Sequence, residues 1–358
     1  MAKINNNFWK NKKVFITGHT GFKGSWLTLI LHSLGAKIVG YALNPISKPN
    51  FFDNLNLSKY LIKDYRQDIN NFKKLNNAIK NFNPSIVFHL AAQSSVLVSY
   101  QKPRETVEAN VIGTTNLLES MKKTKSIKSA IIVTTDKVYL NQEKKKKFKE
   151  DSKLGGYDIY SSSKAACDII TESYIKSFFS KSNCGIAIVR SGNCIGGGDW
   201  TKDRIVKDCA ESFIKNEKLI IRSPNATRPW QHVLDPLFGY LKLSQKLFNN
   251  NRYNGAWNFG PNKKNNLKVK QLVLIGKKIF NSMSKIVLKK KKYYESENLA
   301  LDSSKAKKLL NWQTEFKDRE ALNMTFNWYK NFYKTKDKKL LLKLSFDQIK
   351  NFKLRHKI

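Results

Sequence analysis

"KVFITGHTGFKGSWLTLILHSLG" (13–35) decides the fold of this 358-residue chain. The first six residues, "KVFITG", read as a buried strand, and "SWLTLILHSLG" has the apolar periodicity of a helix. Between them stand Gly18, Gly21 and Gly24. Three glycines at a strand-to-helix turn let the backbone approach a pyrophosphate, whose charge meets the amino end of the helix. The spacing is GxxGxxG rather than GxGxxG, and its place after a strand and before a helix is what carries the nucleotide-binding expectation.

Working outward, strands and helices alternate. "AKIVGYAL" (36–43) is a second strand, and "YLIKDYRQDI" (60–69) ends a third at Asp68. "NNFKKLNNAIKNF" (70–82) is helical and "PSIVFHLAA" (84–92) is strand four. "NVIGTTNLLESMKKT" (110–124) is a helix, "SAIIVTT" (129–135) strand five, "SSSKAACDIITESYIKSFF" (161–179) a helix and "CGIAIVRSG" (184–192) another strand. This order predicts an α/β fold, a Rossmann-type doubly wound parallel sheet covered on both faces. After Gly192 the texture becomes glycine-rich and mixed, with a helix at "DPLFGYLKLSQKLF" (235–248). The expected division is a nucleotide-binding domain over 1–192 and a smaller, mainly substrate-binding lobe over 193–358, interleaved with the first. The tail "DKKLLLKLSFDQIKNF" (337–352) reads as a basic amphipathic helix that packs on the body rather than anchoring in a membrane.

The net charge of +39 invites a nucleic-acid reading, but lysines are spread over the whole length, in "EKKKKFKE" (143–150), "LKKKKYY" (288–294) and the tail. No nucleic-acid-binding signature accompanies them, so solvated faces are expected and no specific nucleic-acid partner. No apolar run approaches membrane-spanning length, and no signal-type stretch precedes the first strand, which points to a cytoplasmic protein. Cys167, Cys184, Cys194 and Cys209 lack paired zinc spacing and the five histidines are far apart, so no metal site is expected.

Two patterns carry chemistry. "YSSSK" sets Tyr160 and Lys164 four residues apart on one helix face, the only such pair among the 14 tyrosines. A lysine beside a phenol lowers its pKa and makes tyrosine a usable base. "IIVTTDKVY" (131–139) places Thr135, Asp136 and Lys137 at a strand's carboxyl end, where open α/β sheets bind ligands.

"TGHTGFKG", "HLAAQ", "TTDK", "GGYDIYSSSK", "GNCIGGGDW" and "RPWQHVLDPL" together resemble the extended short-chain dehydrogenase/reductase family, over nearly the whole chain. "GGGDW" and "RPWQHVL" are most similar to its branch of CDP-glucose 4,6-dehydratases. The resemblance implies an NAD-dependent hydro-lyase acting on a nucleotide sugar, CDP-glucose, on the way to deoxysugars of surface polysaccharide such as lipopolysaccharide O-antigen. A 4-epimerase, or a dehydratase of another nucleotide sugar, is the rival on the same fold. The implied cofactor contacts are Gly18, Thr20, Gly21, Phe22, Lys23, Gly24, Asp68, Ile69, Leu90, Ala92, Gln93, Tyr160 and Lys164. Tyr160 matches the base that takes the C4 hydroxyl proton, Lys164 the residue that holds the nicotinamide ribose, and Thr135 the hydrogen-bond partner of the C4 oxygen. Asp136 matches the acid that protonates the departing C6 hydroxyl. Lys137 stands where relatives acting on dTDP-glucose carry glutamate; it is a neutral base, a cation beside the enolate, or only the partner of Asp136. On the substrate side the resemblance implies Gln93, Asn193, Arg204 and Arg228, with Arg222 and Trp200 lining the nucleoside pocket, although Trp200 reads equally as core.

Three departures stand out. Ile159 replaces a proline common before the tyrosine, "SSVLVSY" (94–100) lacks arginines frequent in the branch, and "GYALNP" (40–45) ends strand two without a carboxylate for the adenosine ribose. With no arginine in that segment either, weak NAD binding is expected rather than a switch to NADP. The family also implies a homodimer or higher homo-oligomer, formed through helices 110–124 and 161–179.

Overall fold

The computed structural model describes residues 5–142, 147–261, 267–289 and 299–356. Parts of the two lysine runs, 143–146 and 290–294, lie outside the described residues. Among the described residues eleven strands follow in order: β1 Lys13–Thr17, β2 Lys37–Ala42, β3 Lys63–Arg66, β4 Ile86–His89, β5 Ser129–Val133, β6 Gly185–Ser191, β7 Cys194–Ile195, β8 Leu219–Ile221, β9 Gln231–His232, β10 Gly255–Phe259 and β11 Ile286–Leu288. Seven form one sheet in the order β10-β6-β5-β4-β1-β2-β3, with every pair parallel. This is the doubly wound Rossmann architecture. Strands buried on both faces are apolar along most of their length, and β4, β5 and β6 are buried throughout, with polar residues confined to their ends.

The chain leaves β1 toward β2 and β3, then returns to lay β4 on the other side of β1. That reversal opens a crevice at the carboxyl ends of β1 and β4. Beyond residue 193 the chain re-enters the sheet: β10 pairs with β6, and the Leu234–Leu247 helix packs on β5 and β6. The remaining residues build a smaller layer from the Ile205–Lys215, Val269–Phe280 and Asp318–Thr335 helices and two short parallel pairs, β7 with β9 and β8 with β11.

Local chemistry moves several boundaries. The third strand stops at Arg66, because Asp68 Oδ1 accepts the Asn70 amide and turns the chain. Single π-helical turns, Glu108–Ile112 and Ile175–Phe179, interrupt two helices expected to be continuous. Ile159 is the first residue of the Ile159–Tyr174 helix, capped by Asp158, whose carboxylate accepts from Ser161. At that position the backbone N–H has no intrahelical partner, which is why proline suits it and why isoleucine replaces it without breaking the helix.

The terminal Lys338–Arg355 helix docks on the body through Leu341, Ile349 and Phe352. Phe352 stacks on Phe238 with centroids 4.3 Å apart. Among the described residues no helix is long and apolar enough to cross a membrane. Truncating Phe352 to alanine should cost about 3–5 kcal/mol, the price of an emptied aromatic site. Urea unfolding checks this, and an unchanged midpoint would mean that the tail helix does not pack as described.

Candidate active site

The crevice is built first from backbone. Gly18 has φ +74°, and a Cβ there would stand 2.5 Å from the Ala91 nitrogen. A Cβ on Gly24 would stand 2.1 Å from the Gly18 carbonyl oxygen. These contacts press the turn against the β4 loop and draw the Phe22–Ser33 helix over the sheet. Gly21 caps that helix without a side-chain hydrogen bond, so its first amides are left without a capping partner. Such a cradle, with no Cβ and free N–H groups, fits a dinucleotide pyrophosphate. Thr20 Oγ1 donates to the Leu43 carbonyl at 2.9 Å and ties the turn to the end of β2. Phe22 packs against the core, and Lys23 Nζ reaches inward to Ser191 Oγ on β6 at 2.8 Å, where Tyr240 also donates.

The β4 loop is held from behind. Leu90 donates to the Thr17 carbonyl, Ala91 to Thr17 Oγ1, and His89 bridges Thr17 and Thr114. Burial pushes the His89 pKa down to about 3, so the bridge is a neutral imidazole. Ala92 follows on this loop. Gln93, expected to reach the sugar, is turned back instead: its side-chain nitrogen donates to Thr106 Oγ1 at 2.9 Å and to the Ser95 carbonyl, and its oxygen accepts the Ser95 amide. The amide is satisfied by the helix start beside it. Asn110 was not singled out from sequence, yet it holds both backbone groups of Gln93 and donates to Ser163 at 2.9 Å. It sits in the π turn, whose place within a helical pattern gave no separate signal. Ile69 packs against Gly113, and the Asp68 carbonyl accepts from Tyr41.

The opposite wall carries the acid–base groups. Past β5, Thr135 caps a short turn, donating to Asp136 Oδ1 at 3.1 Å. Asp136 is buried at 1% exposure, and Lys137 Nζ stands 3.7 Å from its Oδ1. The other carboxylate oxygen has no hydrogen-bond partner among the described residues. Lys137 borders a cavity lined also by Val96, Tyr139, Gly156, Tyr157 and Asp158. Behind the turn, buried Arg190 donates to Asp168, to Tyr139 and to the Glu150 carbonyl, and Tyr139 donates to Asn258 of β10. Burial opposes both charges of the Arg190–Asp168 pair, and each is retained as the other's counterion.

Tyr160 lies over Thr135. Burial raises its pKa; the Thr135 hydrogen bond, then Arg204 and Lys23, work against that rise. The expected depression by Lys164 is therefore corrected. The Lys164 ammonium donates to the Val133 carbonyl at 2.8 Å, and burial lowers its own pKa.

The charge of Arg204 is felt at Tyr160, and Arg204 pairs with Asp199 at 3.4 Å. Arg222 is engaged at the surface by Asp203 at 3.0 Å, and Arg228 is buried with a bond to the Thr227 carbonyl. Asn193 Oδ1 is buried without a partner among the described residues. Trp200 is core: it packs edge-on against Trp328 and Tyr329. Among the described residues no cluster of ligating side chains is suited to a metal, and the four cysteines are free thiols.

The end of β2 differs from expectation. An arginine does stand there, supplied by the neighbouring strand, a placement invisible in the 40–45 segment. Arg66 Nη1 approaches Asn44 Oδ1 at 3.4 Å, while Nε and Nη2 grip Asp64 at 2.7 and 2.8 Å. Asp64 also accepts from His19 Nε2 at 2.8 Å, and the His19 ring occupies space that a Cβ on Gly40 would need.

The family model described as GDP-mannose 4,6 dehydratase matches residues 15–325. A CDP-glucose 4,6-dehydratase of Salmonella typhimurium is 41% identical over 341 residues, covering 93% of this chain and 95% of that protein. Among solved structures, the UDP-glucose 4-epimerase of Thermotoga maritima with UDP-glucose matches with a TM-score of 0.79 at 22% identity, covering 90% of this chain and 99% of that one. The dTDP-glucose 4,6-dehydratase of Bacillus anthracis in complex with NAD matches at 0.75 and 22% identity, covering 89% and 97%.

The Asp64 cluster has a measurable consequence. Burial works against its carboxylate, but the hydrogen bonds from His19 and Arg66 outweigh it and lower the pKa from 3.8 to about 2. A depressed carboxyl pKa stabilises the fold above the unfolded value, and that stability is lost as pH falls through the folded one. Allowing for partial exposure, Asp64→Asn should lose about 1–2 kcal/mol near neutrality. The difference from the parent should vanish between about pH 4 and 2 in pH-resolved urea unfolding.

Proposed function

The chain belongs to the GDP-mannose 4,6-dehydratase family of extended short-chain dehydrogenase/reductases, and on that premise we propose that it converts CDP-glucose to CDP-4-keto-6-deoxyglucose. One observation carries the choice of reaction: a buried acid, Asp136, adjoins Lys137 at the strand end facing Tyr160. Epimerisation at C4 needs no such pair, whereas eliminating water across C5 and C6 needs a group at each carbon. The extensive identity to a CDP-glucose 4,6-dehydratase supports the cytidine-linked substrate.

The glycine cradle, Thr20 and Lys164 are suited to hold NAD, which when bound accepts a hydride from C4 and returns it to C6. The protein's own groups do the rest. Tyr160 takes the C4 hydroxyl proton and Thr135 hydrogen-bonds the same oxygen. Once C4 is a ketone the C5 hydrogen is acidic: Lys137 removes it as a neutral amine, stabilises the enolate as the cation so formed, and returns the proton to C5 when the hydride reaches C6. Asp136 delivers a proton to the leaving C6 hydroxyl. Asn193, Arg204 and Arg228 are assigned to the sugar diphosphate. The product feeds deoxysugar synthesis for surface polysaccharide, which suits a cytoplasmic enzyme. Exposed Ile112, Ile169 and Phe178, on or beside the two helices expected to dimerise, support a homodimer, to be checked by sedimentation.

Protein freed of nucleotide by dialysis should be inactive until NAD is added. It should then form a 4-keto product, read by its absorbance in base, faster from CDP-glucose than from the dTDP-, UDP- or GDP-linked sugars. Faster turnover of dTDP-glucose would overturn the substrate, and a 4-epimer without 4-keto product would overturn the reaction. Lys137→Ala should slow dehydration by about 10²-fold or more, the range for acid–base groups, and abolish solvent-deuterium exchange at C5. A parental rate would reduce Lys137 to a partner of Asp136.

A further inference from the structure

We propose that Arg66 makes the adenosine end of the cofactor site accept a 2′-phosphate, so that this protein binds NADP as well as NAD. The inference rests on the nicotinamide-cofactor reading above and concerns this chain's own residues.

Discrimination between the two cofactors is ordinarily made at the end of the second strand, where a carboxylate accepts from the ribose hydroxyls and repels a phosphate. Here that place holds Asn44, which carries no charge. The glycine turn is fastened to the same place, through Thr20 to the Leu43 carbonyl and Gly18 to the Tyr41 carbonyl. Parallel pairing of β2 with β3 sets Ala42 opposite Arg66, bringing a guanidinium to the strand end from the adjacent strand.

That guanidinium is pre-positioned. Asp64 holds Nε and Nη2, the Phe52 ring lies 4.8 Å beneath, and Nη1 is left directed at Asn44. With its fork held in this way, little side-chain freedom remains to be lost on meeting a ligand. The counter-argument is that Asp64 neutralises it. Yet Asp64 Oδ1 is shared between Arg66 and His19, and the Arg66 side chain keeps 27% exposure. Relative to a carboxylate at position 44, the cluster offers one fewer negative charge and an available fork nitrogen, both favourable to a phosphate dianion.

The test is binding rather than turnover. Nucleotide-free protein is titrated with NAD and with NADP by calorimetry at fixed ionic strength. The expected NADP Kd lies within tenfold of that for NAD. Arg66→Ala should raise the NADP Kd tenfold or more while moving that for NAD less than threefold. Asn44→Asp, which leaves the packing untouched, should tighten NAD and weaken NADP at least tenfold. NAD binding with no NADP binding at a hundredfold higher concentration would sink this inference and leave the cofactor reading intact, as would Arg66→Ala weakening both alike. Failure of both to bind would overturn the cofactor reading itself.

Discussion

Gly24 sits so near the carbonyl of Gly18 that a Cβ would stand 2.1 Å from that oxygen, and Gly18 presses on Ala91 in the same way. This close backbone packing brings together three separate pieces of chain: the end of β1, the start of the Phe22–Ser33 helix and the loop after β4. The parallel sheet supplies the frame, because all seven strands deliver their carboxyl ends to one edge. The glycines then allow the helix to start there with its amides free. A side chain at either position would push the helix off the sheet, and the crevice at the β1/β4 reversal would lose its floor.

On that floor the charges are arranged unevenly. The cations are anchored differently: Lys23 on Ser191, Lys164 on a β5 carbonyl, Arg204 on Asp199, and Lys137 beside the buried carboxylate of Asp136. Burial raises the Tyr160 pKa, and the Thr135 hydrogen bond and the charges of Arg204 and Lys23 only oppose that rise. The site thus suits chemistry in which negative charge develops only during reaction, where fixed cations act most strongly in a water-poor setting. Behind it, the Arg190–Asp168–Tyr139–Asn258 network links the catalytic turn to β10 and to the helix bearing Tyr160. A strand from beyond residue 193 therefore braces the acid–base wall.

Much of this was legible in the residues. Alternation of apolar strands with periodic helices identified the doubly wound sheet, because the burial of each face leaves a period in the sequence. The glycine triplet identified the crevice, because no other residue fits the contacts at Gly18 and Gly24. The Tyr160–Lys164 spacing and the Asp136–Lys137 adjacency also survived, since neighbours on one helix turn or one strand end stay neighbours in any fold that keeps those elements.

The sequence by itself determined local geometry: which segments are strands, where the backbone must approach closely, and which groups share a turn. Only the tertiary structure decided what depends on distant partners. It turned Gln93 back onto Thr106, put Trp200 among Trp328 and Tyr329, aimed Lys164 at a carbonyl rather than at the phenol, and revealed Asn110 as the clasp of the β4 loop. It also placed Arg66 beside Asn44 across 22 positions of chain. The reason is physical. A side chain's direction is set by whichever donor, acceptor or cavity the rest of the fold brings within about 3 Å, and that distance is not written in sequence separation.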